Sequence, residues 1–187
     1  MRRIVYGVHQ SLDGFIEGPN GEFDWPQMGD ELSAYSLAQC DQVDAFLYGR
    51  RVWELMAGYW PQAESISDHP HDLAFVPIWR RTPKVVVSRT LTRAEHGAQV
   101  VGGVDLGKEV TALKEQPGGD LLLLGGAGAA AALTALGLID EYQIFVHPVV
   151  LGGGKPVFSV TERINLRLVE SRTFDGRTVL LSYRRAD

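Results

Sequence analysis

The chain of 187 residues carries a formal net charge of −5 and a sequence pI near 5.5, with 45% hydrophobic and 22% charged residues. This acidic balance argues against a nucleic-acid or membrane-surface partner. One cysteine, Cys40, excludes an internal disulfide and a multi-cysteine metal site, so no metal is predicted. The N-terminal arginines meet Asp13 before a long apolar core develops; we expect no signal peptide and a single cytoplasmic domain over residues 1–187.

The first third of the chain predicts two strands and two helices. Ile4 to Val8 is β-branched and predicts a buried strand. Asp30 is a candidate N-cap for a helix over Glu31 to Cys40. Ala45 to Tyr48 predicts a second strand, and a helix from Arg50 to Trp60 follows it.

The middle of the chain predicts a flexible loop and then a strand. Residues 62–70 are polar and irregular. His69 and His71 have the spacing of a metal pair, but the proline between them and the missing carboxylate favour a solvated loop. Lys84 to Val87 predicts a third strand, and a helix is expected over Asp105 to Gln116.

The stretch from Asp120 to Leu138 is the most informative one. Four leucines ending at Leu124 predict a strand buried on both faces, and the alanine-rich segment from Ala129 predicts a helix. Between them lie Gly125, Gly126, Ala127 and Gly128. Glycines leave room for a phosphate, and the start of a helix attracts anions, so this turn predicts a pyrophosphate site.

Two other interpretations of this stretch remain. The span from Leu121 to Ile139 is almost long enough to cross a bilayer, but acidic residues flank it without a basic partner. A less favoured alternative is that the glycines only allow close packing of helix on sheet. The match of Gly126 to Ala131 to the dinucleotide pattern G-x-G-x-x-A is weak by itself.

The C-terminal third predicts antiparallel structure. An extended strand is expected within residues 139–150, and alternating apolar residues on both sides of Asp175-Gly176 predict a hairpin. Parallel βα units followed by this hairpin predict an α/β fold with a mixed, mostly parallel central sheet flanked by helices.

Three predicted strand ends carry glycine, arginine or hydroxyl residues, namely residues 49–51, 88–89 and 125–128. Since carboxyl ends of parallel strands share one edge of a sheet, we expect the three to line one groove. Guanidinium groups bind phosphate oxygens in pairs, so Arg50, Arg51 and Arg89 are candidates for the extra phosphate that distinguishes NADP from NAD.

Five motifs in order resemble the dihydrofolate reductase-like superfamily. They are Ser11-Leu12-Asp13-Gly14-Phe15-Ile16, Tyr48-Gly49-Arg50-Arg51-Val52-Trp53-Glu54, Val87-Ser88-Arg89, Leu124-Gly125-Gly126-Ala127-Gly128 and the stretch from Val149 to Phe158. The chain is most similar to free-standing bacterial proteins like the reductase domain of the bifunctional riboflavin-biosynthesis deaminase–reductase, the RibD C-terminal type. The resemblance covers nearly the whole chain.

The resemblance implies a three-layer fold, NADPH as hydride donor, a cis Gly125–Gly126 peptide and a homodimer. It places Val8 and His9 beside the nicotinamide and Ile16 over it from a mobile loop. The residues it implies for the rest of the cofactor are Gly49, Arg50, Arg51, Val52, Val87, Ser88, Arg89, Leu124, Gly125, Gly126, Ala127, Gly128 and Ala129.

Three departures from the family pattern bear on activity. Val52 stands where the motif Gly-Arg-x-Thr has a hydroxyl. The deaminase signature with its cysteines is missing. Ser33 aligns with the carboxylate by which dihydrofolate reductases bind a pterin, so folate is a weakened expectation.

The sequence therefore predicts an NADPH-dependent reductase of a small planar heterocycle, pterin- or pyrimidinone-like, or of a conjugated carbonyl. Asp13 is the first candidate for contacting the substrate or a ribose hydroxyl, although a role in the turn before Gly14 is as well supported. Asp30 and Glu31 are further candidates for the proton donor. The alternatives are a non-catalytic nucleotide-binding or ligand-binding protein on the same scaffold and an ordinary Rossmann dehydrogenase, which the late position of the glycine turn disfavours.

Overall fold

The computed structural model describes residues 1–186 and contains ten strands and six α-helices within them. The strands are β1 Ile4–Ser11, β2 Phe15–Glu17, β3 Val43–Gly49, β4 Lys84–Val87, β5 Gln99–Val101, β6 Asp120–Leu124, β7 Glu141–His147, β8 Lys155–Pro156, β9 Leu166–Phe174 and β10 Thr178–Arg185. The helices are α1 Asp30–Cys40, α2 Arg50–Tyr59, α3 Ala63–Ile66, α4 Pro70–Arg81, α5 Leu106–Glu115 and α6 Ala127–Ala135, with a 3-10 turn at Trp60–Gln62. None of the helices in this part of the chain combines the length and the apolar character needed to cross a bilayer.

Eight strands form one sheet in the order β5-β4-β3-β6-β1-β7-β10-β9, and β2 pairs separately with β8. All neighbours from β5 to β7 are parallel, whereas β10 is antiparallel to both β7 and β9. The predicted α/β fold, with its mostly parallel central sheet and C-terminal hairpin, is confirmed.

Helices cover both faces of the sheet, because the central strands are apolar on both sides. One face packs on α5 and α6 through a cluster that includes Tyr6 and Leu133. The opposite face packs on α2 and α4 through Phe46, Trp53 and Trp79. Each of these five side chains is at most 4% exposed.

The prediction of an irregular loop before Pro70 was wrong, and the structure also contains a helix that the sequence analysis did not predict. Residues 63–66 are helical, and α4 runs from Pro70 through an internal proline, Pro77. Proline is tolerated in the first turn of a helix, where its missing N–H is not needed. Burial of Phe75 and Trp79 offsets the cost of the internal proline.

His71 also differs from the prediction of a solvated pair. It is buried inside α4, and its Nδ1 lies 2.9 Å from the Ser33 hydroxyl of α1. His69 caps the helix, because its ring Nδ1 accepts the His71 backbone N–H at 3.2 Å.

The start of α1 is fixed by the C-terminal hairpin rather than by Asp30. The cap position is Gly29, which makes no side-chain hydrogen bond, so the prediction of Asp30 as N-cap was wrong. Instead the Asp175 carboxylate accepts the backbone N–H groups of Glu31 at 2.9 Å and of Leu32 at 3.2 Å. The Glu31 carboxylate in turn accepts the backbone N–H of Asp175 at 2.6 Å. This reciprocal capping holds α1 over β7 and β10.

We expect Asp175→Gly to lower the free energy of unfolding by about 1 kcal/mol, because it removes the acceptor of two helix N–H groups. Asp175 has a φ of 53°, so glycine keeps the backbone conformation while deleting the cap. Urea denaturation measures the change. Asp175→Asn is the control: it retains one acceptor oxygen and is expected to lose less, and equal stabilities of all three proteins would contradict the capping role.

Candidate active site

The predicted strand-end residues lie together at the carboxyl edge of the sheet. β3 is hydrogen-bonded in parallel to β4 on one side and to β6 on the other. Gly49 therefore ends its strand between the bend at Ser88 and the glycine turn at Gly125. We call this edge, formed by residues 49–52, 87–90 and 124–129, the cofactor rim. Its binding of a cofactor stays a prediction.

Two glycine backbones meet at the centre of the cofactor rim. A Cβ added to Gly126 would lie 3.4 Å from the backbone N of Gly49 and 3.5 Å from Cγ2 of Val52. A Cβ added to Gly49 would lie 3.2 Å from the Cβ of Ala129. Packing therefore restricts Gly49, where Ala129 would have to move by a few tenths of an ångström, whereas a Cβ on Gly126 would make ordinary contacts. The close approach places the first residues of α2 and α6 side by side.

The turn that starts α6 leaves backbone donors free. Gly125 and Gly126 have φ values of 68° and 81°, which L side chains rarely adopt. The first helical hydrogen bond is made by Ala130 to the Gly126 carbonyl at 3.0 Å, so the N–H groups of residues 127–129 precede the helical ladder. A Cβ on Gly128 would meet no atom within 4 Å. Open space and free N–H groups suit an anion.

The expected cis peptide is absent, since residues 1–186 contain only trans peptide bonds. The chain instead reverses through two consecutive left-handed glycines, Gly125 and Gly126, with the bond between them trans. Glycine makes that conformation accessible without isomerisation of the peptide.

The arginines of the cofactor rim are exposed to solvent. Arg50 reaches across from α2 to the Thr90 hydroxyl at 3.3 Å and lies 3.7 Å from Glu54 on its own helix. Arg51 and Arg89 are exposed and have no ion-pair partner within residues 1–186. Three cationic side chains thus surround the beginning of α2, which has no acidic residue in its first turn.

Ser88 stabilises the bend after β4 through its hydroxyl group. Its hydroxyl accepts the backbone N–H of Leu91 at 3.0 Å and of Thr90 at 3.3 Å. The side chain is 8% exposed, so it shapes the loop that presents Arg89.

The residues expected beside the nicotinamide divide between the two faces of β1. Val8 is buried on the side of α5 and α6. Its neighbour His9 points to the other side, where its ring stacks on Phe145 with centroids 4.9 Å apart. Ile16 belongs to β2, is 9% exposed and packs in the same cluster as Val8, so it is held in a paired strand instead of a free loop.

Two of the three candidate catalytic carboxylates, Asp13 and Glu31, bind backbone N–H groups. Asp13 accepts the backbone N–H groups of Leu151 at 3.1 Å and Gly152 at 2.8 Å, which ties the turn after β1 to the loop after β7. Hydrogen bonds from the Ser11 hydroxyl and from these backbone donors hold the pKa of Asp13 below its ordinary value. Asp30 and Glu31 are exposed at the start of α1. Their catalytic roles stay predictions.

The structure shows a second cluster that the sequence analysis missed, at the ends of β1 and β7. His9 Nδ1 and His147 Nε2 are 2.7 Å apart, and His147 Nδ1 lies 3.4 Å from the Thr178 hydroxyl. The Trp25 ring contacts His147 edge-on at 5.6 Å between centroids. A histidine at the carboxyl end of each of two predicted strands was the available signal. We call His9, His147 and Trp25 the imidazole cluster.

Both imidazoles are neutral at pH 7. Burial, followed by the proximity of His147 and His71, lowers the pKa of His9 to about 3. Burial, followed by the charge of Arg177, lowers the pKa of His147 to about 4. The short separation excludes only a pair in which both rings are protonated, because one of the two facing nitrogens must accept the hydrogen that the other donates.

A cavity of about 290 Å³ lies at the opposite edge of the sheet, away from both clusters. Its charged walls are already paired: Arg184 lies 2.8 Å from Glu141, which Arg3 also contacts at 3.3 Å. Desolvation opposes and hydrogen bonds favour the charged form of Glu141, with the net result that its pKa is lowered. This network stabilises the start of β1 and β7.

Comparisons with known proteins agree with this architecture. A family model described as the RibD C-terminal domain matches residues 2–180. The uncharacterized protein YyaP of Bacillus subtilis (strain 168) is 39% identical over 183 residues, which cover 97% of this chain and 94% of YyaP.

Two solved structures share the fold over essentially the whole chain. A proposed riboflavin biosynthesis protein from Shewanella sp. PV-4 has a TM-score of 0.71 and 23% identity, with 100% of each chain covered. Dihydrofolate reductase from Enterococcus faecalis, complexed with NADP(H), has a TM-score of 0.64 and 14% identity, with 99% of this chain and 97% of that chain covered. At these identities the likeness establishes the fold.

We expect acid to destabilise the protein through His147. Its folded pKa lies below that of an unfolded histidine, so the unfolded state binds more protons, and the stabilising contribution is lost as the pH falls from about 6.5 towards 4. Between pH 7 and pH 5 the loss from this one group is about 2 kcal/mol. Urea denaturation at both pH values measures it.

The variant His147→Gln, which does not titrate, should show a correspondingly smaller difference between the two pH values. His96→Asn is the matched control, because His96 is exposed and outside the imidazole cluster. An unchanged pH dependence in His147→Gln would contradict the assignment.

Proposed function

The chain belongs to the RibD C-terminal domain family, and from this premise we propose that it is an NADPH-dependent reductase of a small planar molecule. The family is reductase-like, and the resemblance deduced from the five motifs is confirmed. The substrate class that we propose includes pterin-like or pyrimidinone-like heterocycles and conjugated carbonyls.

The observation that carries the proposal is the convergence of two helix N-termini at Gly49 and Gly126. The positive ends of α2 and α6, each without a side-chain cap, lie beside each other at the cofactor rim. Each such end favours a negative charge by about 0.3–1 kcal/mol when exposed. Two adjacent ends suit the two phosphates of a dinucleotide better than a single anion.

The arginines support the choice of NADPH over NADH. Arg50 and Arg89 come from neighbouring strand ends, and Arg50 already contacts the bend after β4 through Thr90. A phosphate on the adenosine ribose would meet guanidinium groups from two sides. Val52 places a methyl group where a hydroxyl would give a phosphate an additional hydrogen bond, so the arginines carry more of the affinity.

The cofactor, when bound, supplies the hydride; the protein residues bind, orient and shield the reactants. Trp25, which belongs to the imidazole cluster, and Tyr35, which contacts Phe145 beside it, are suited to stacking on a planar ligand, whereas Trp53 is buried in the core. In the proposal Asp13 keeps the loop at Gly152 against the turn after β1.

A non-catalytic binding protein is the second candidate. The observation in its favour is that the α1 side chain aligned with the pterin-binding carboxylate is Ser33, whose hydroxyl is engaged by His71. A homodimer also stays a prediction; the outer strand β9 exposes Leu168 and Val169 along a free edge, which would suit it.

We expect the double variant Arg50→Glu with Arg89→Glu to weaken NADPH binding at least tenfold, about 1.4 kcal/mol, while NADH binding changes much less. The reason is that only NADPH carries the phosphate that these side chains are proposed to bind. Quenching of tryptophan fluorescence by each cofactor gives both dissociation constants.

The control for net charge is Arg163→Glu with Arg167→Glu, which makes the same change far from the cofactor rim. Equal losses for NADPH and NADH in the rim variant would mean that the arginines do not distinguish the two cofactors. Absence of binding of either cofactor to the unmodified protein would overturn the proposed function.

Turnover decides between an enzyme and a binding protein. We expect steady oxidation of NADPH, followed by its absorbance, with at least one compound from a panel of pterins, pyrimidinones, quinones and enones. NADPH binding without oxidation across the panel would favour the binding protein.

A further inference from the structure

The imidazole cluster occupies the carboxyl ends of β1 and β7, on the other side of the glycine turn from the arginines. We propose that His9 Nε2–H is the hydrogen-bond donor that binds the substrate, and that His147 positions it. The substrate is then a neutral, planar, conjugated carbonyl compound, not a basic amidine-type heterocycle. This inference rests on the proposed function and narrows its substrate class.

Exposure separates the roles of the two histidines. His147 is 2% exposed and hydrogen-bonded through both ring nitrogens, so it has no atom left for a ligand. His9 is only partly buried, its Nδ1 is occupied by His147, and its Nε2 has no hydrogen-bond partner within residues 1–186. His9 Nε2 is therefore the atom of the pair that a ligand can reach.

The proposal assigns a direction to the hydrogen-bond chain. The Thr178 hydroxyl, 3.4 Å from His147 Nδ1, is assigned as the donor, which leaves the hydrogen of His147 on Nε2, from where it is donated to His9 Nδ1. The neutral His9 ring then carries its own hydrogen on Nε2. The stacked Phe145 ring fixes the plane of the imidazole, so this donor has a defined direction. The distances fit the reverse direction of the chain equally, so the 15N measurement described below decides between the two.

No carboxylate is among the groups whose charge acts on His9. Those groups are His147, which faces it from β7, and His71, which faces it from α4. The charged group acting on His147 is Arg177 of the hairpin turn. A protonated amidine-type ring needs a carboxylate to bind its two N–H groups, and this cluster presents neutral or positive groups only.

A conjugated carbonyl matches what the cluster offers. When such a compound gains a hydride at carbon, the π electron pair moves onto its oxygen, and a proton from water completes the product. A neutral imidazole with a lowered pKa donates to that oxygen without becoming a competing acid, and its hydrogen bond strengthens as the oxygen gains charge.

A second, independent observation in the same cluster also favours a ligand that brings an acceptor. The indole Nε1–H of Trp25, next to His147, is one of two buried side-chain polar atoms that lack a partner within residues 1–186. A buried N–H without an acceptor is destabilising, so a ligand that brings an acceptor oxygen to it is favoured. The indole N–H only donates, so the complementary group on a ligand is an acceptor.

The test uses the full-length protein at pH 7 with two flat rings of the same size: 2-pyridone, a neutral cyclic carbonyl, and 2-aminopyridine, a basic ring. Long-range 15N NMR of the histidines identifies which ring nitrogen carries hydrogen. We expect hydrogen on His9 Nε2, a shift of that nitrogen on addition of 2-pyridone, and at least fivefold weaker binding of 2-aminopyridine.

The variants separate the donor from the shape of the side chain. His9→Phe should weaken 2-pyridone binding about five- to tenfold, the value of one hydrogen bond, whereas His9→Gln keeps an N–H and should restore most of the affinity. His147→Phe should cost less than His9→Phe. His96→Asn is the control and should bind like the unmodified protein.

Several results would overturn the inference: a His9 Nε2 without hydrogen, no shift of that nitrogen at saturating 2-pyridone, equal affinity of His9→Phe, or tighter binding of 2-aminopyridine. The 15N measurement on the unmodified protein decides even where a variant fails to fold. NADPH binding is measured separately, so NADPH binding without a His9 effect would refute only this inference. A His9 effect without NADPH binding would refute only the proposed function.

Discussion

The contact between the backbones of Gly49 and Gly126 is the constraint on which the cofactor rim depends. Parallel pairing of β3 with β6 brings the two strand ends together, so that α2 and α6 begin side by side. Glycine suits both positions for different reasons: Gly126 has a φ of 81°, and a Cβ on Gly49 would lie only 3.2 Å from the Cβ of Ala129. The glycine turn at residues 125–128 thus shapes the cofactor rim in two ways, through its own left-handed backbone and through its contact with Gly49.

The imidazole cluster lies on the same edge of the sheet but differs from the cofactor rim in charge and polarity. The cofactor rim offers positive charge and open backbone donors, while the imidazole cluster offers buried, neutral rings among aromatic side chains. A charged phosphate is stabilised in the first environment and would lose hydration without compensation in the second. A neutral planar ring has the opposite preference, so under the proposed function this polarity would orient a dinucleotide and its reaction partner relative to each other.

The sequence predicted the central sheet and the hairpin because their signals are local. Continuous apolar runs such as Leu121 to Leu124, and a turn such as Asp175-Gly176, specify structure within a few residues. The sequence did not predict α4, because its two prolines are typical of helix breaks. The helix forms because its apolar side chains are buried against β3 and β4, which the local sequence does not reveal. The cap of α1 was also out of reach, because Asp175 lies 144 residues from the N–H of Glu31 that it accepts. The pairing of His9 with His147 depends in the same way on β1 and β7 becoming neighbours.

The same long-range contacts explain how the two halves can change independently. The arginines and glycine turns belong to the parallel core, whereas His147, Thr178 and the cap from Asp175 depend on β7 and the hairpin that follows it. Asp175 holds the start of α1, and Leu32 of α1 packs against Phe145 and Phe174. A change in the hairpin would therefore shift α1 and Phe145, and Phe145 stacks on His9 of the imidazole cluster. None of these hydrogen bonds connects the hairpin to the starts of α2 and α6 at the cofactor rim. Under the proposed function, such a scaffold would exchange one small planar substrate for another through changes in its C-terminal third, while the proposed nucleotide site stayed intact.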